Sequence, residues 1–200
     1  YFFVVFEYDF KNDTLPLRKD KIFKVIWVRN NKHGKPIIDS CDDKPALQIN
    51  GEHSVDLVWY KNGKINRKND KPAYVSYSYN GDIILKEWLM DGEKYERKNG
   101  QANHIEFFNT KLTNGRKNVK SMEVWFKGEK EHRENDLPSS IEYHANGSIK
   151  AKRWRRNDEY YIRPDNQANV IRYYTNQTKE REEWLRKNND FYRSGDKPSK

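Results

Sequence analysis

The sequence predicts an all-β fold, an elongated antiparallel repeat array, and three observations carry that prediction. The six tryptophans, Trp27, Trp59, Trp88, Trp125, Trp154 and Trp184, recur at intervals of 32, 29, 37, 29 and 30 residues. An arginine follows each of the last five by eight or nine residues: Arg67, Arg97, Arg133, Arg163 and Arg193. Turn dipeptides punctuate the same register at Asn62-Gly63, Asn80-Gly81, Asp91-Gly92, Asn114-Gly115, Lys127-Gly128 and Asn146-Gly147. A fixed period of this size marks a stack of supersecondary repeats, each burying its apolar face on its neighbours.

The chain opens with Tyr1-Phe2-Phe3-Val4-Val5-Phe6, too short to span a membrane and followed by charge, so it reads as a first strand. Residues 1–58 form these N-terminal strands and an irregular first repeat, because Pro45-Ala46 lies 18 residues after Trp27 whereas Pro72-Ala73 lies 13 after Trp59. That difference marks an insertion. Residues 59–200 form the regular array, with repeats of about 29 residues starting near 59, 88, 125, 154 and 184. Asn-Gly and Asp-Gly favour type I′ turns, which need positive φ at both central residues, so each repeat should hold two hairpin turns. Ala73–Tyr79 and Asp82–Met90, rich in aromatic and β-branched residues, read as strands. A second insertion lengthens the loop after Phe108. The segment 178–187 comes nearest to a helix, but its register makes it a strand.

A longer period of 66 residues separates Trp59 from Trp125 and Trp88 from Trp154. After the arginine, three repeats carry an Asp-x-Pro corner, at Asp70-Pro72, Asp136-Pro138 and Asp196-Pro198. Two carry Gln-Ala-Asn instead, at Gln101-Ala102-Asn103 and Gln167-Ala168-Asn169. The alternation predicts that the two corner types line opposite edges.

Apolar residues make up 34% of the chain and charged residues another 34%, so six Trp, thirteen Tyr and nine Phe must supply most of the buried area. The six tryptophans are therefore expected in the repeat core, in preference to a role as stacking platforms for bases. One cysteine, Cys41, cannot form an internal disulfide, which fits an intracellular or virion setting. The histidines show no metal-ligand spacing, and no nucleophile elbow or phosphate-cradling glycine loop is present, so neither a metal, a cofactor nor an enzymatic activity is expected.

The net charge of +9 is spread along the chain and is densest at Lys152, Arg153, Arg155 and Arg156 around Trp154. As one strand, that stretch would put Lys152, Trp154 and Arg156 on one face and Arg153 and Arg155 on the other. It is the best candidate for nucleic-acid contact. Arg67, Arg133 and Arg193 are candidate binding residues for a phosphate or a partner carboxylate, against a structural role as an internal ion pair with the Asp three residues later or a backbone cap that braces the corner.

The strings Trp59–Ala73 and Trp125–Pro138 resemble the Trp-Gly-Lys-His-Arg-Asp-Pro repeats of giant DNA viruses, phages and some bacteria, and are distantly similar to MORN-type hairpin repeats. The resemblance covers about residues 55–200. Only His132 keeps the histidine before the arginine, and the Tyr-x-Gly pattern of MORN repeats is incomplete. It implies a viral or phage-like origin and a scaffold role: a non-enzymatic module binding a protein partner or neighbouring subunits, in the host cytoplasm or the virion. The alternative expectation is a basic nucleic-acid-associated repeat protein.

Overall fold

The structure is a computed structural model that describes residues 2–8, 22–51 and 53–186. It is an all-β hairpin array. The one helical turn among the described residues is a single 3-10 turn at Pro164–Asn166. The chain divides into two compact units, Tyr1–Glu93 and Lys94–Lys200.

In the first unit the long strands Phe2–Tyr8, Ile22–Asn30, Leu47–Asn50, Ser54–Val58, Tyr74–Ser78 and Ile83–Glu87 pair in chain order, each antiparallel to the next. The second unit repeats the scheme with His104–Phe107, Lys120–Val124, Ser140–Tyr143, Ile149–Arg153, Val170–Tyr173 and Lys179–Glu183. The opening strand and the strand reading of 178–187 are thus both observed over the described residues.

Between one long hairpin and the next, the chain makes a two-stranded ribbon and then a corner. Such ribbons are Tyr60–Lys61 with Lys64–Ile65, Phe126–Lys127 with Lys130–Glu131, and Arg155–Arg156 with Glu159–Tyr160. The ribbons also bond sideways: Gly63 N–H donates to Ile38 O, Gly128 N–H to Lys94 O and Asp158 N–H to Glu131 O, at 2.9–3.1 Å. In the first repeat the ribbon is Val28–Asn30 with Pro36–Ile38. It spans 28–38 where the next ribbon spans 60–65, which accounts for the whole insertion inferred after Trp27.

The strands expected to run through Trp88 and Trp154 stop at Glu87 and Arg153. The tryptophan is where the chain leaves the long ladder. Trp59 shows why: its N–H donates to Ala73 O in the next corner, while its C=O accepts from Asn66 N–H at the exit of its own ribbon. Its two backbone groups serve different neighbours, and Trp125 does the same with Ser139 and His132.

The turns also differ from expectation. Asn62-Gly63, Asp91-Gly92 and Asn157-Asp158 have positive φ at both residues, as type I′ requires. At Asn80-Gly81 and Asn146-Gly147 only the glycine does. Those long hairpins use a three-residue loop ending in the left-handed region, with a register shift at Tyr77 and Tyr143 beside it. Gln177, φ +67°, takes the glycine's place in the last described hairpin.

The two corner types do not line opposite edges. In the second unit the corners at 97–103, 133–139 and 163–169 all lie between a ribbon and the first strand of a long hairpin, and so at one edge. The 66-residue alternation is written instead in one buried side chain, six residues after each arginine. Asn103 and Asn169 occupy that place in the Gln-Ala-Asn corners, Ala73 and Ser139 in the Asp-x-Pro corners. Each asparagine donates to two carbonyls, Tyr95 and Phe126 or Tyr161 and Leu185, and accepts one amide N–H at 2.9 Å.

The buried layer is thin and lies at the level of the tryptophans. Trp59, Trp88 and Trp154 are buried with Ala46, Ala73, Val58, Val75, Val124 and Val170, while most long-strand residues are half-buried. Trp27, Trp125 and Trp184 are half-buried too.

Candidate functional site

The recurrent constellation of this chain is a clamp between successive repeats. The indole N–H of five of the six tryptophans donates to a backbone carbonyl in the preceding corner: Trp59 to Asp43, Trp88 to Asp70, Trp125 to Gly100, Trp154 to Asp136 and Trp184 to Asn166, all at 2.8–2.9 Å. Those five acceptor residues share a left-handed backbone, with φ between +51° and +64°. Asp, Asn and Gly are the residue types that reach it at least cost.

The arginine lies over the indole face. Its Cζ is 3.7 Å from the ring centroid in Arg67 over Trp59, 3.8 Å in Arg133 over Trp125 and 3.9 Å in Arg163 over Trp154. Its Nη1 then donates to the carbonyl five residues on, at Pro72, Ala102, Pro138 or Ala168. The corner is braced by its own arginine.

The ion-pair partner is not the aspartate three residues later. Arg67 grips Asp43, 24 residues back, through Nε at 2.8 Å and Nη2 at 3.0 Å. Arg163 grips Asp136, 27 residues back, at 2.9 and 2.8 Å. A two-pronged guanidinium–carboxylate pair fixes geometry as well as adding energy. Hydrogen bonds from Arg67 and then Lys71 hold the Asp43 carboxyl well below the usual carboxylate range, and Arg163 lowers Asp136 in the same way. Tyr161 also donates to Asp136, and its own phenol, raised chiefly by burial, titrates at about 12.

Arg133 departs from this pattern. Its preceding corner carries Gly100, which has no carboxylate to offer, so Nη2 turns to the Gly100 carbonyl at 3.2 Å. Desolvation lowers the Arg133 pKa. A cleft of about 180 Å³ opens over it, bordered by Trp125, Phe126, His132 and Asn135. Sequence reasoning named Arg133 but missed Gly100, whose difference from Asp43 and Asp136 emerges only when corners are aligned with the repeat that follows.

The basic cluster is divided between two elements, Lys152 and Arg153 on a long strand and Arg155 and Arg156 on the ribbon beyond Trp154. The two faces expected of one continuous strand therefore do not exist. Its arginines are also answered within the chain. Arg153 meets Glu142 at 2.8 Å, Arg155 meets Glu131 at 3.1 Å and stacks on Tyr160, and Arg156 approaches Glu134 at 3.6 Å and stacks on Tyr161. Lys152 lies 5.9 Å from the Tyr173 ring. Arg193 lies outside the described residues.

His132, the residue before Arg133, is buried and bonded to Asn157 at 3.0 Å and to Glu134 at 2.8 Å. Among the described residues no three His, Cys, Asp or Glu side chains group as a metal ion requires, and no helix is long and apolar enough to cross a membrane. No protein-family model matches the chain, and comparison with curated proteins and with solved structures likewise gave no match.

Proposed function

We propose that this chain is a non-enzymatic repeat scaffold that binds a protein, as a component of a virus particle or as a viral or phage factor engaging a host protein. The observation that carries the reading is how its side chains are spent. The arginines best placed for nucleic acid are committed to internal carboxylates, whereas large apolar side chains stand in solvent near the corners: Leu137 is 44% exposed and Ile162 63%. Charged rims around exposed apolar residues suit a protein partner, since phosphate binding calls for uncommitted cations. The viral part of the proposal rests on the sequence resemblance alone.

The test is an affinity capture with mass spectrometry from host extract, run with and without nuclease at two salt concentrations. A defined protein retained through nuclease and high salt supports the reading. Recovery of nucleic acid alone, lost as salt rises, would establish the nucleic-acid alternative instead, because phosphate contacts release counterions and weaken steeply with salt.

A further inference from the structure

The clamps of the second unit include one that lacks a component. In Arg163 over Trp154, the Nε and Nη2 edge holds the Asp136 carboxylate, and Arg67 holds Asp43 in the same way in the first unit. Arg133 stacks on Trp125 with the same geometry and uses Nη1 and Nη2 on the Pro138 and Gly100 carbonyls. Among the described residues no carboxylate pairs with it. A cleft lined by Arg133 and Gly100 opens there, and a Cβ built on Gly100 would meet nothing within 4 Å.

We propose that the cleft over Arg133 is a carboxylate-binding site that receives an aspartate side chain presented by a partner protein, seated on the Nε and Nη2 edge as Asp136 sits on Arg163. It rests on the protein-binding reading and names the chemistry that the partner must offer. Three features favour it. A planar fork matches a carboxylate edge-on, and two sister sites in this chain already hold one. Arg133 is partly desolvated, so an arriving anion meets a cation that water has already partly left. Glu123, the carboxylate whose charge acts on Arg133, is engaged by Lys120 and Tyr143, Glu134 is engaged by His132 and Arg156, and Glu96 lies at the exposed border.

The experiment follows the Trp125 indole N–H and the Arg133 Nε–H by NMR in the full chain. The probes are N-acetyl-aspartate N-methylamide, its asparagine counterpart and inorganic phosphate. The aspartate probe is expected to shift both signals at millimolar concentration, the asparagine probe to leave them in place, and phosphate to bind more weakly. Gly100→Asp installs the missing carboxylate from within and is expected to weaken the probe by at least about tenfold. Arg133→Lys, which keeps the charge and removes the fork, is expected to do the same if Gly100→Asp fails to fold. Equal shifts with the asparagine probe, no shift with any probe, or tighter binding of phosphate would each overturn the proposal. A captured partner held equally by wild type and Gly100→Asp would overturn the cleft while leaving the protein-binding reading intact.

Discussion

Arg163 reaches back 27 residues to place Nε and Nη2 on the two carboxylate oxygens of Asp136, while its guanidinium lies on Trp154. Three repeat-defining residues thereby form one contact between neighbouring repeats. The stacked cation adds about 0.5–2 kcal/mol, more as it is desolvated. A surface ion pair adds only about 0–1 kcal/mol, so burial decides what each clamp contributes.

The first prediction contrasts two clamps. The Arg163 side chain is 8% exposed against 15% for Arg67, and Asp136 is 29% exposed against 45% for Asp43. Asp136→Ala strands a buried guanidinium and should cost about 2–3 kcal/mol. Asp43→Ala carries the same penalty for an alanine in the left-handed backbone but should cost about 1 kcal/mol less, because its ion pair is more exposed. Urea denaturation of both variants checks the order, and equal losses would contradict it.

Acid should weaken the clamps. The Asp43 and Asp136 carboxyls titrate lower in the folded chain than in the unfolded one, so the unfolded state takes up protons first as pH falls. Their stabilisation is complete above the ordinary carboxylate value of about 4 and is lost as pH drops through the lowered folded values. The wild type should therefore lose more stability on acidification from neutral pH than Asp43→Asn/Asp136→Asn does. Parallel curves of Tm against pH would argue against the clamps.

Within the basic cluster, charge should matter for folding unevenly. Glu131 is buried, accepts Ser139 Oγ at 2.7 Å and faces Arg155. Arg155→Met leaves that carboxylate without its cation and should cost about 2 kcal/mol or more. Lys152→Met, with no carboxylate to strand among the described residues, should stay within about 0.5 kcal/mol. Chemical denaturation separates the two, and a neutral Arg155→Met would show that the pair is not formed.

Asn169→Ala removes two donated hydrogen bonds and one accepted one at a buried site, leaving Leu185 N–H and two carbonyls short of a partner. The expected loss is about 2–3 kcal/mol. Asn103→Ala should match it, since the same three bonds are made there to Tyr95 and Phe126. A loss under about 0.5 kcal/mol in either would contradict the bridging role.

The repeat period, the ribbon turns and the insertion after Trp27 were legible because each is local, set by dipeptides and spacing within one repeat. Which aspartate Arg67 grips was not. In a stack of hairpins the residue beside Arg67 comes from the preceding repeat at Asp43, and nothing between Arg67 and Asp70 reveals it. The turn type at Asn80-Gly81 was hidden for another reason: one extra loop residue moves the asparagine out of the left-handed region while leaving the dipeptide unchanged. The face assignment at Lys152–Arg156 failed because alternation holds only while a strand continues, and this one ends before Trp154. Gly100 has meaning only beside Asp43 and Asp136, at the same place in their own corners.

The most direct test of the repeat-to-repeat clamp is hydrogen exchange of the tryptophan indole N–H groups, resolved in a proton–nitrogen spectrum and assigned by single Trp→Phe variants. Five of them donate to a corner carbonyl of the preceding repeat at 2.8–2.9 Å, including those of the half-buried Trp125 and Trp184. The account predicts five dispersed indole signals protected from exchange, with Asp136→Ala loosening Trp154 before Trp59. Indole signals clustered at the unfolded position and exchanging at the rate of free tryptophan would contradict it.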